Sequence, residues 1–199
     1  MFTALRATSR TIANFLESRF QADTLLSGFF GAGGMVVSLS TPEEMTEKPE
    51  AGLSVWLYRI IRDDQRLNDP PIRLNATQLQ APPLTLRLHY LITPITDKRT
   101  GNPETEQLIL GKVLQIFHGH ATLRGADLQG EFAGTEAELK VRLEPMNLEE
   151  ITRVWEALEG SYQLSVSYEV SVVNIMPELE PEQVTPVDVV MPEYGLIVS

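Results

Sequence analysis

Cysteine is absent from this chain of 199 residues. The absence excludes disulfide bonds, a thiolate nucleophile and any metal site with a cysteine ligand. It is typical of proteins that stay in a reducing compartment, so the sequence predicts a cytoplasmic product.

Long apolar runs are also missing. No stretch reaches the roughly 18 to 20 apolar residues that a membrane-spanning helix needs. Polar residues interrupt the first 20 positions throughout, which excludes the apolar region of a secretory signal there. We therefore expect no membrane partner, and the 43% hydrophobic content suits one folded domain with or without a tail.

Basic residues are scarce in the last third of the chain. Residues 127–199 contain 3 Lys and Arg against 15 Asp and Glu, whereas residues 1–126 contain 13 against 12. An acidic surface repels phosphate backbones, so we expect no nucleic-acid partner and favour a basic protein surface. Simple solubility is the alternative explanation of the charge.

Catalytic motifs are lacking as well. The chain has no Gly-x-Ser-x-Gly and no Ser-x-x-Lys. His118 and His120 fall at a helix end and His89 on a strand face predicted to be solvated, which is no convergent ligand set for a metal. The adjacent acids Asp63 and Asp64 are explained by solvation. We predict no enzyme, cofactor, metal or small-molecule substrate; a hydrolase of unknown type is an alternative that nothing in the sequence demands.

The glycine cluster at 28–34 lies before a strand instead of between a strand and a helix. This order is the reverse of a phosphate-binding loop, so it predicts a flexible turn or a close approach of two backbones. Trp56 and Trp155 both lie on apolar stripes and are predicted to belong to the core.

Periodic apolar residues predict the main elements. Helices are expected at 3–22, 104–118 and from 148, and a surface loop with one helical turn is expected at 41–52. Strands are expected from 35, at 53–61, from 84, from 139, and at 164–172, the last being the longest. Asn102 with Pro103 and Asn147 with Glu150 predict two helix starts. The strand at 53–61 is apolar on both faces and is predicted to be central, whereas the polar faces of the strands from 84 and 164 are predicted to meet water.

The last segment, Pro177 to Ser199, has four prolines, five acids and no basic residue. Its proline spacing excludes a helix and favours an extended acidic arm, so we divide the chain into a domain at 1–176 and an arm at 177–199. Glu193, Tyr194, Leu196, Ile197 and Val198 are the candidate partner interface, since this end is apolar enough to add as a strand to a neighbour's sheet. A frayed terminus is the alternative.

Four ordered blocks between Leu53 and Ile175 carry a resemblance to a known family. They are LSVWLYRIIRDD, PPLTLRLHYLITP, ETEQLILGKVLQIFHGHATL and LEEITRVWEALEGSYQLSVSYEVSVVNI. In this order they resemble the amino-terminal domain of cap, or tail-terminator, proteins of extracellular, antifeeding-prophage-like contractile injection systems.

The resemblance implies an α/β (α+β) fold of the phage tail-terminator type, with a mixed sheet flanked by about three helices. It also implies a structural cap that forms a ring of itself, usually a hexamer, and ends the inner tube and the contractile sheath distal to the baseplate. The expected partners are then the tube protein and the sheath protein. An assembly adaptor or chaperone for tube or sheath subunits is the alternative function.

Overall fold

The computed structural model describes residues 2–96 and 102–185. This part of the chain contains nine β-strands and four α-helices. In chain order they are α1 (Ala4–Gln21), β1 (Val36–Ser38), α2 (Pro42–Glu47), β2 (Gly52–Arg62), β3 (Ile72–Asn75), β4 (Gln78–Gln80), β5 (Leu84–Ile95), α3 (Pro103–Gly119), β6 (Thr122–Arg124), β7 (Glu138–Leu143), α4 (Leu148–Ala157), β8 (Val166–Ile175) and β9 (Glu182–Gln183). The predicted mixed α+β class is confirmed, with α2 as a short fourth helix where one turn was expected.

The strands form two sheets. The large sheet has the order β1-β2-β5-β8-β7-β6, in which β1 pairs parallel with β2 and all other pairs are antiparallel. Its two central strands are β5 and β8, so the prediction that β2 is the centre was wrong. The longest strand is β5 with 12 residues, not β8 with 10. A small second sheet has the order β3-β4-β9.

Helices α1 and α3 cover one face of the large sheet. The predicted stripe of α1 is largely buried there, with Ile12, Phe15, Leu16 and Phe20 at 5% exposure or less. They join one large core cluster with residues of α3 and of β2, β5, β7 and β8, including Ile109, Val113, Leu53, Leu88, Val141 and Val170. This cluster is the main source of the apolar burial that stabilises the fold.

Helices α2 and α4 cover part of the opposite face. Leu91 of β5, Ile151 and Trp155 form a second, smaller core cluster, against which Trp56 is partly buried. Met45 brings α2 onto the same side, since α2 contacts β2 and β5 and its methionine is fully buried. Trp155 is therefore a core residue as predicted, and the sheet is sandwiched between two helical layers.

The predicted helix starts are confirmed. The Asn102 side chain accepts hydrogen bonds from the backbone N–H groups of Glu104 and Thr105 at 3.1 and 3.3 Å. Asn147 and Glu150 form a reciprocal capping box at the start of α4. Helix α4 ends at Ala157, and the left-handed residue beyond it is Glu159, with φ of 54°, before the predicted stop at Gly160.

Two glycine positions carry a close backbone approach. The cluster at 28–34 contains a π-helical turn, Gly28–Ala32, after which a Cβ on Gly33 would lie 2.5 Å from the carbonyl oxygen of Gly28. Gly52 has a φ of +144°, and a Cβ there would lie 2.0 Å from the carbonyl oxygen of Val36. Only glycine therefore lets β2 begin this close to β1.

Candidate functional site

The predicted partner residues Glu193, Tyr194, Leu196, Ile197 and Val198 lie outside the described residues. The described beginning of the arm, 177–185, does contact the domain. Strand β9 pairs antiparallel with β4, and the Val184 N–H donates to the Thr77 carbonyl at 2.8 Å. The Gln80 side-chain amide donates to the Leu179 carbonyl at 3.3 Å. The arm thus begins as the third strand of the small sheet.

The small sheet presents apolar side chains to solvent. Ile72 and Leu74 of β3 are 43% and 52% exposed, and Leu179 beside the sheet is 64% exposed. Every residue of β3 is exposed, and no buried cluster of the described residues includes this sheet. Exposed apolar side chains grouped on a small sheet are a feature of surfaces that meet a partner.

The polar face of β5 and β8 is buried, which corrects the prediction that it meets water. Ser165, Ser167, Ser171 and His89 are all less than 9% exposed. The alternation of polar and apolar residues is real, but α4 and the segment from Glu144 to Met146 lie over this face, and hydrogen bonds satisfy most of the buried polar groups.

Arg87 organises one end of this buried face. Its guanidinium lies 2.7 Å from Asp63 and 3.5 Å from Glu169. Asp63 is 5% exposed, so the prediction that solvation explains this acid was wrong. Burial opposes ionisation of Asp63, but the hydrogen bond from Arg87 and that from the Gln65 N–H outweigh it, and the pKa of Asp63 is lowered. The hydrogen bond to Asp63 raises the pKa of Arg87 in turn.

His89 lies in a second buried network. Its Nδ1 is 2.8 Å from a carboxylate oxygen of Glu144, and its Nε2 has no partner among the described residues. The other Glu144 oxygen accepts from Ser167, and the Tyr58 hydroxyl lies 3.0 Å from the Ser167 hydroxyl. Burial raises the pKa of Tyr58. The network ties the segment that precedes α4 to β2, β5 and β8.

This network contains a serine, a histidine and an acid, yet its geometry differs from that of a hydrolase. The Ser167 hydroxyl donates to Glu144 instead of to the imidazole, so the serine–imidazole hydrogen bond of a Ser-His-acid triad is not formed. Ser167 is also 2% exposed, which keeps a substrate away from its oxygen. The arrangement fixes one part of the structure to another.

The two histidines at the end of α3 have different surroundings. The His120 ring packs edge-on against Phe15 at 5.5 Å between centroids, and its Nδ1 faces the Ile116 carbonyl at 3.2 Å. His118 is exposed. Within residues 2–96 and 102–185, no three His, Asp or Glu side chains are grouped as metal ligands would be.

Sequence reasoning missed the polar contacts because their partners are far apart in the chain. Asp63 and Arg87 are 24 residues apart, and His89 and Glu144 are 55 apart. The one available signal was the presence of two polar side chains, Arg87 and His89, in a largely apolar strand, since polar groups are rarely buried without partners.

None of the described helices is long and apolar enough to cross a bilayer.

The arrangement of a mixed six-stranded sheet between two helical layers is the fold of tube and sheath terminators. A cryo-EM structure of the PVC sheath/tube terminator of an extracellular contractile injection system, in the extended state, matches 83% of this chain and 57% of that one, with a TM-score of 0.57 and 20% identity. The tube-terminating cap of the anti-feeding prophage matches 79% of this chain and 53% of that one, with a TM-score of 0.55 and 22% identity. This chain thus corresponds to little more than half the length of either protein.

Residues 7–188 match the Pvc16 N-terminal domain family, and the chain belongs to that family. The match confirms the resemblance stated for Leu53 to Ile175 and extends it in both directions. No curated protein matches the chain in sequence.

Proposed function

We propose that this chain is a structural cap that ends the inner tube and the contractile sheath of a phage-tail-like contractile injection system at the end distal to the baseplate. The observation that supports this function is the family match over residues 7–188, together with a fold shared with two terminators. Each of those two proteins is a terminator by name, and the shared fold covers about four fifths of the present chain.

The internal polar groups support a structural role without catalysis. Glu144 hydrogen-bonds to both His89 and Ser167 within the fold, and Asp63 is held by Arg87. Their place in the fold accounts for them, so the surfaces carry the function.

The cap acts as a ring of identical copies, six in number, that contacts the tube protein and the sheath protein. It assembles in the cytoplasm as part of the particle. Identical subunits in a closed ring meet head to tail, which requires two different patches on each subunit.

The acidic arm, 177–199, is the segment that reaches a neighbouring subunit or sheath protein, with Glu193, Tyr194, Leu196, Ile197 and Val198 as its contact residues. Its described beginning supports this role, because β9 already adds as a strand to β4. An arm that continues in the same manner adds to the sheet edge of a neighbour.

Labelling tests the cap function. A small affinity tag placed on the chain, followed by gold labelling and electron microscopy of purified particles, is expected to mark one end only, opposite the baseplate. A chain that assists assembly and leaves, as an adaptor or chaperone does, is absent from those particles. Particles assembled without the chain are expected to have tubes of irregular length.

Truncation tests the arm separately. Particles made with a chain that ends at residue 189 are expected to have irregular sheath ends or to lack the cap. Normal sheath length with the truncated chain in place removes the arm from the mechanism and leaves the cap function intact.

A further inference from the structure

Exposed basic side chains lie on both sides of the buried His89 network, on the face of the large sheet that carries α2 and α4. Strand register places Arg59 of β2 opposite His89 of β5, His89 opposite Glu169 of β8, and Glu169 opposite Arg142 of β7. Side chains directly opposite in antiparallel strands share one face, so all four lie on the same side of the sheet. Lys140, two residues before Arg142, lies on that side as well.

Arg59, Lys140 and Arg142 are exposed, and none of the described salt bridges includes them. In the two described stretches of chain, no carboxylate lies within 4.0 Å of Arg59, Lys140 or Arg142, whereas the nearby acids Asp63 and Glu169 are both held by Arg87. We call Arg59, Lys140 and Arg142 the cationic row. Its ends, on β2 and β7, are three inter-strand spacings apart, or about 14 Å.

The same chain carries a surface of opposite charge. Between α2 and α4 lies a groove of about 320 Å³ with Trp155 and Leu158 at its base and Glu43, Glu47 and Glu159 on its walls. These three acids are exposed, and among the described residues none has a cation within 4.0 Å. Glu44 and Glu150, at the starts of the same two helices, differ from these acids because their carboxylates accept hydrogen bonds within capping boxes.

The geometry points to a contact between two copies of this chain, in which the cationic row of one copy meets the acidic surface between α2 and α4 of the next. The two patches are different and complementary in charge, which is what a head-to-tail interface of a ring requires. In a chain of net charge −11, three exposed cations on one sheet face also reduce the repulsion between neighbouring copies at their contact. The inference rests on the proposed function in one respect, namely that copies of the chain assemble into a ring.

The lack of cysteine allows a direct test by cross-linking. A chain with both Arg142→Cys and Glu47→Cys, treated with a short bis-maleimide, is expected to give a ladder of covalent dimers and higher species, both as purified protein at high concentration and in isolated particles. Each single-cysteine chain is expected to stay free of the ladder. The matched control pairs Arg10→Cys, an exposed position on α1, with Glu47→Cys.

Absence of the ladder from both purified protein and particles overturns the inference. An equal ladder from the Arg10 control pair also overturns it, because the linkage is then unspecific.

Charge exchange gives a second, independent test. Chains with K140E and R142E, or with E47K and E159K, are each expected to lose self-association in mass photometry, because like charges then face each other. Mixing the two is expected to restore species that contain both, since each reversed patch finds a reversed partner. Added salt is expected to weaken the wild-type association. A mixture that stays monomeric while wild type associates contradicts the proposed pairing.

The failure of this inference differs visibly from the failure of the cap function. If end labelling places the chain at the distal end but neither test shows the contact, the function stands and the interface lies elsewhere. If the chain is missing from the particle end, the function fails whatever the purified protein does.

Discussion

Replacing Asp63 by asparagine tests the buried charge network that joins β2 to the centre of the sheet. The Arg87 guanidinium donates to the Asp63 carboxylate at 2.7 Å. The Asp63 side chain is 7% exposed and the Arg87 side chain 26%. An asparagine at this position keeps the size of the side chain and still accepts the hydrogen bond from the Gln65 N–H, which Asp63 receives at 3.2 Å. The substitution therefore removes the charge and little else.

The expected cost follows from what Arg87 loses. Removing one partner of a fully buried ion pair costs about 3 to 5 kcal/mol, because the other charge is left without compensation. Arg87 is partly exposed and keeps Glu169 at 3.5 Å, so the remaining charge is better compensated than in a fully buried pair. We expect Asp63→Asn to lower the free energy of unfolding by about 2 kcal/mol at pH 7.

The pH dependence of stability shows whether the cost of Asp63→Asn comes from the lost carboxylate charge or from a change in packing. The pKa of Asp63 is lowered in the folded state, so its stabilising contribution is present above the unfolded-state value near ~3.9 and is lost as the pH falls through the lower folded-state pKa. Urea unfolding followed by circular dichroism at a series of pH values is expected to show wild type and Asp63→Asn converging as the pH falls below ~4.

The matched control is Asp64→Asn, which changes the same charge one residue along the chain at an exposed position. We expect a change within about 0.5 kcal/mol for this variant. A cost for Asp63→Asn that equals that of Asp64→Asn at pH 7, or a cost that persists unchanged at low pH, refutes the reasoning.

Three further predictions concern stability measured in the same way. Asn147→Ala removes the cap of α4 and is expected to cost about 1 kcal/mol; an unchanged midpoint contradicts the capping box. Glu159→Gly relieves a left-handed backbone and is expected to stabilise by about 0.5 to 1 kcal/mol, and a loss of stability contradicts the φ of 54°. The hydrogen bond from Lys112 and those from two backbone N–H groups lower the pKa of Asp23 to about 2, so its stabilising contribution is full above the unfolded-state value and lost toward pH 2. Lys112→Met is thus expected to destabilise at pH 7 and to match wild type near pH 2, whereas an equal cost at both pH values argues against the ion pair.

Local signals predicted the elements well. Asn102 and Asn147 cap the helices that they were predicted to start, because a cap depends only on residues within one turn of the chain. The apolar stripe of α1 was predicted for the same reason, since helical periodicity shows directly which side is buried.

The layers of the structure were harder to predict. A strand that alternates polar and apolar residues has the same pattern whether its polar face meets water or lies under another element. Ser167 and His89 belong to the second case, because Glu144 comes from a distant segment and hydrogen-bonds to both. The central position of β2 was mispredicted because apolar residues on both faces predict burial on both faces. The apolar residue Ile60, near the end of β2, is in fact exposed.

The cationic row depends on strand register, which one sequence does not reveal. Arg59, Lys140 and Arg142 come from strands that are not neighbours in the sequence, and β2 also contains a bulge between Leu57 and Arg59 that shifts its alternation. Only the pairing of four strands places these residues on one face.

The position of the chain in the assembled particle tests the account most directly. Cryo-EM of purified particles that carry the tagged chain is predicted to show a closed ring at the end distal to the baseplate, with the six-stranded sheet described above fitting the density of each copy. Particles that carry no density for the chain at that end, or that carry it along the length of the sheath, contradict the account.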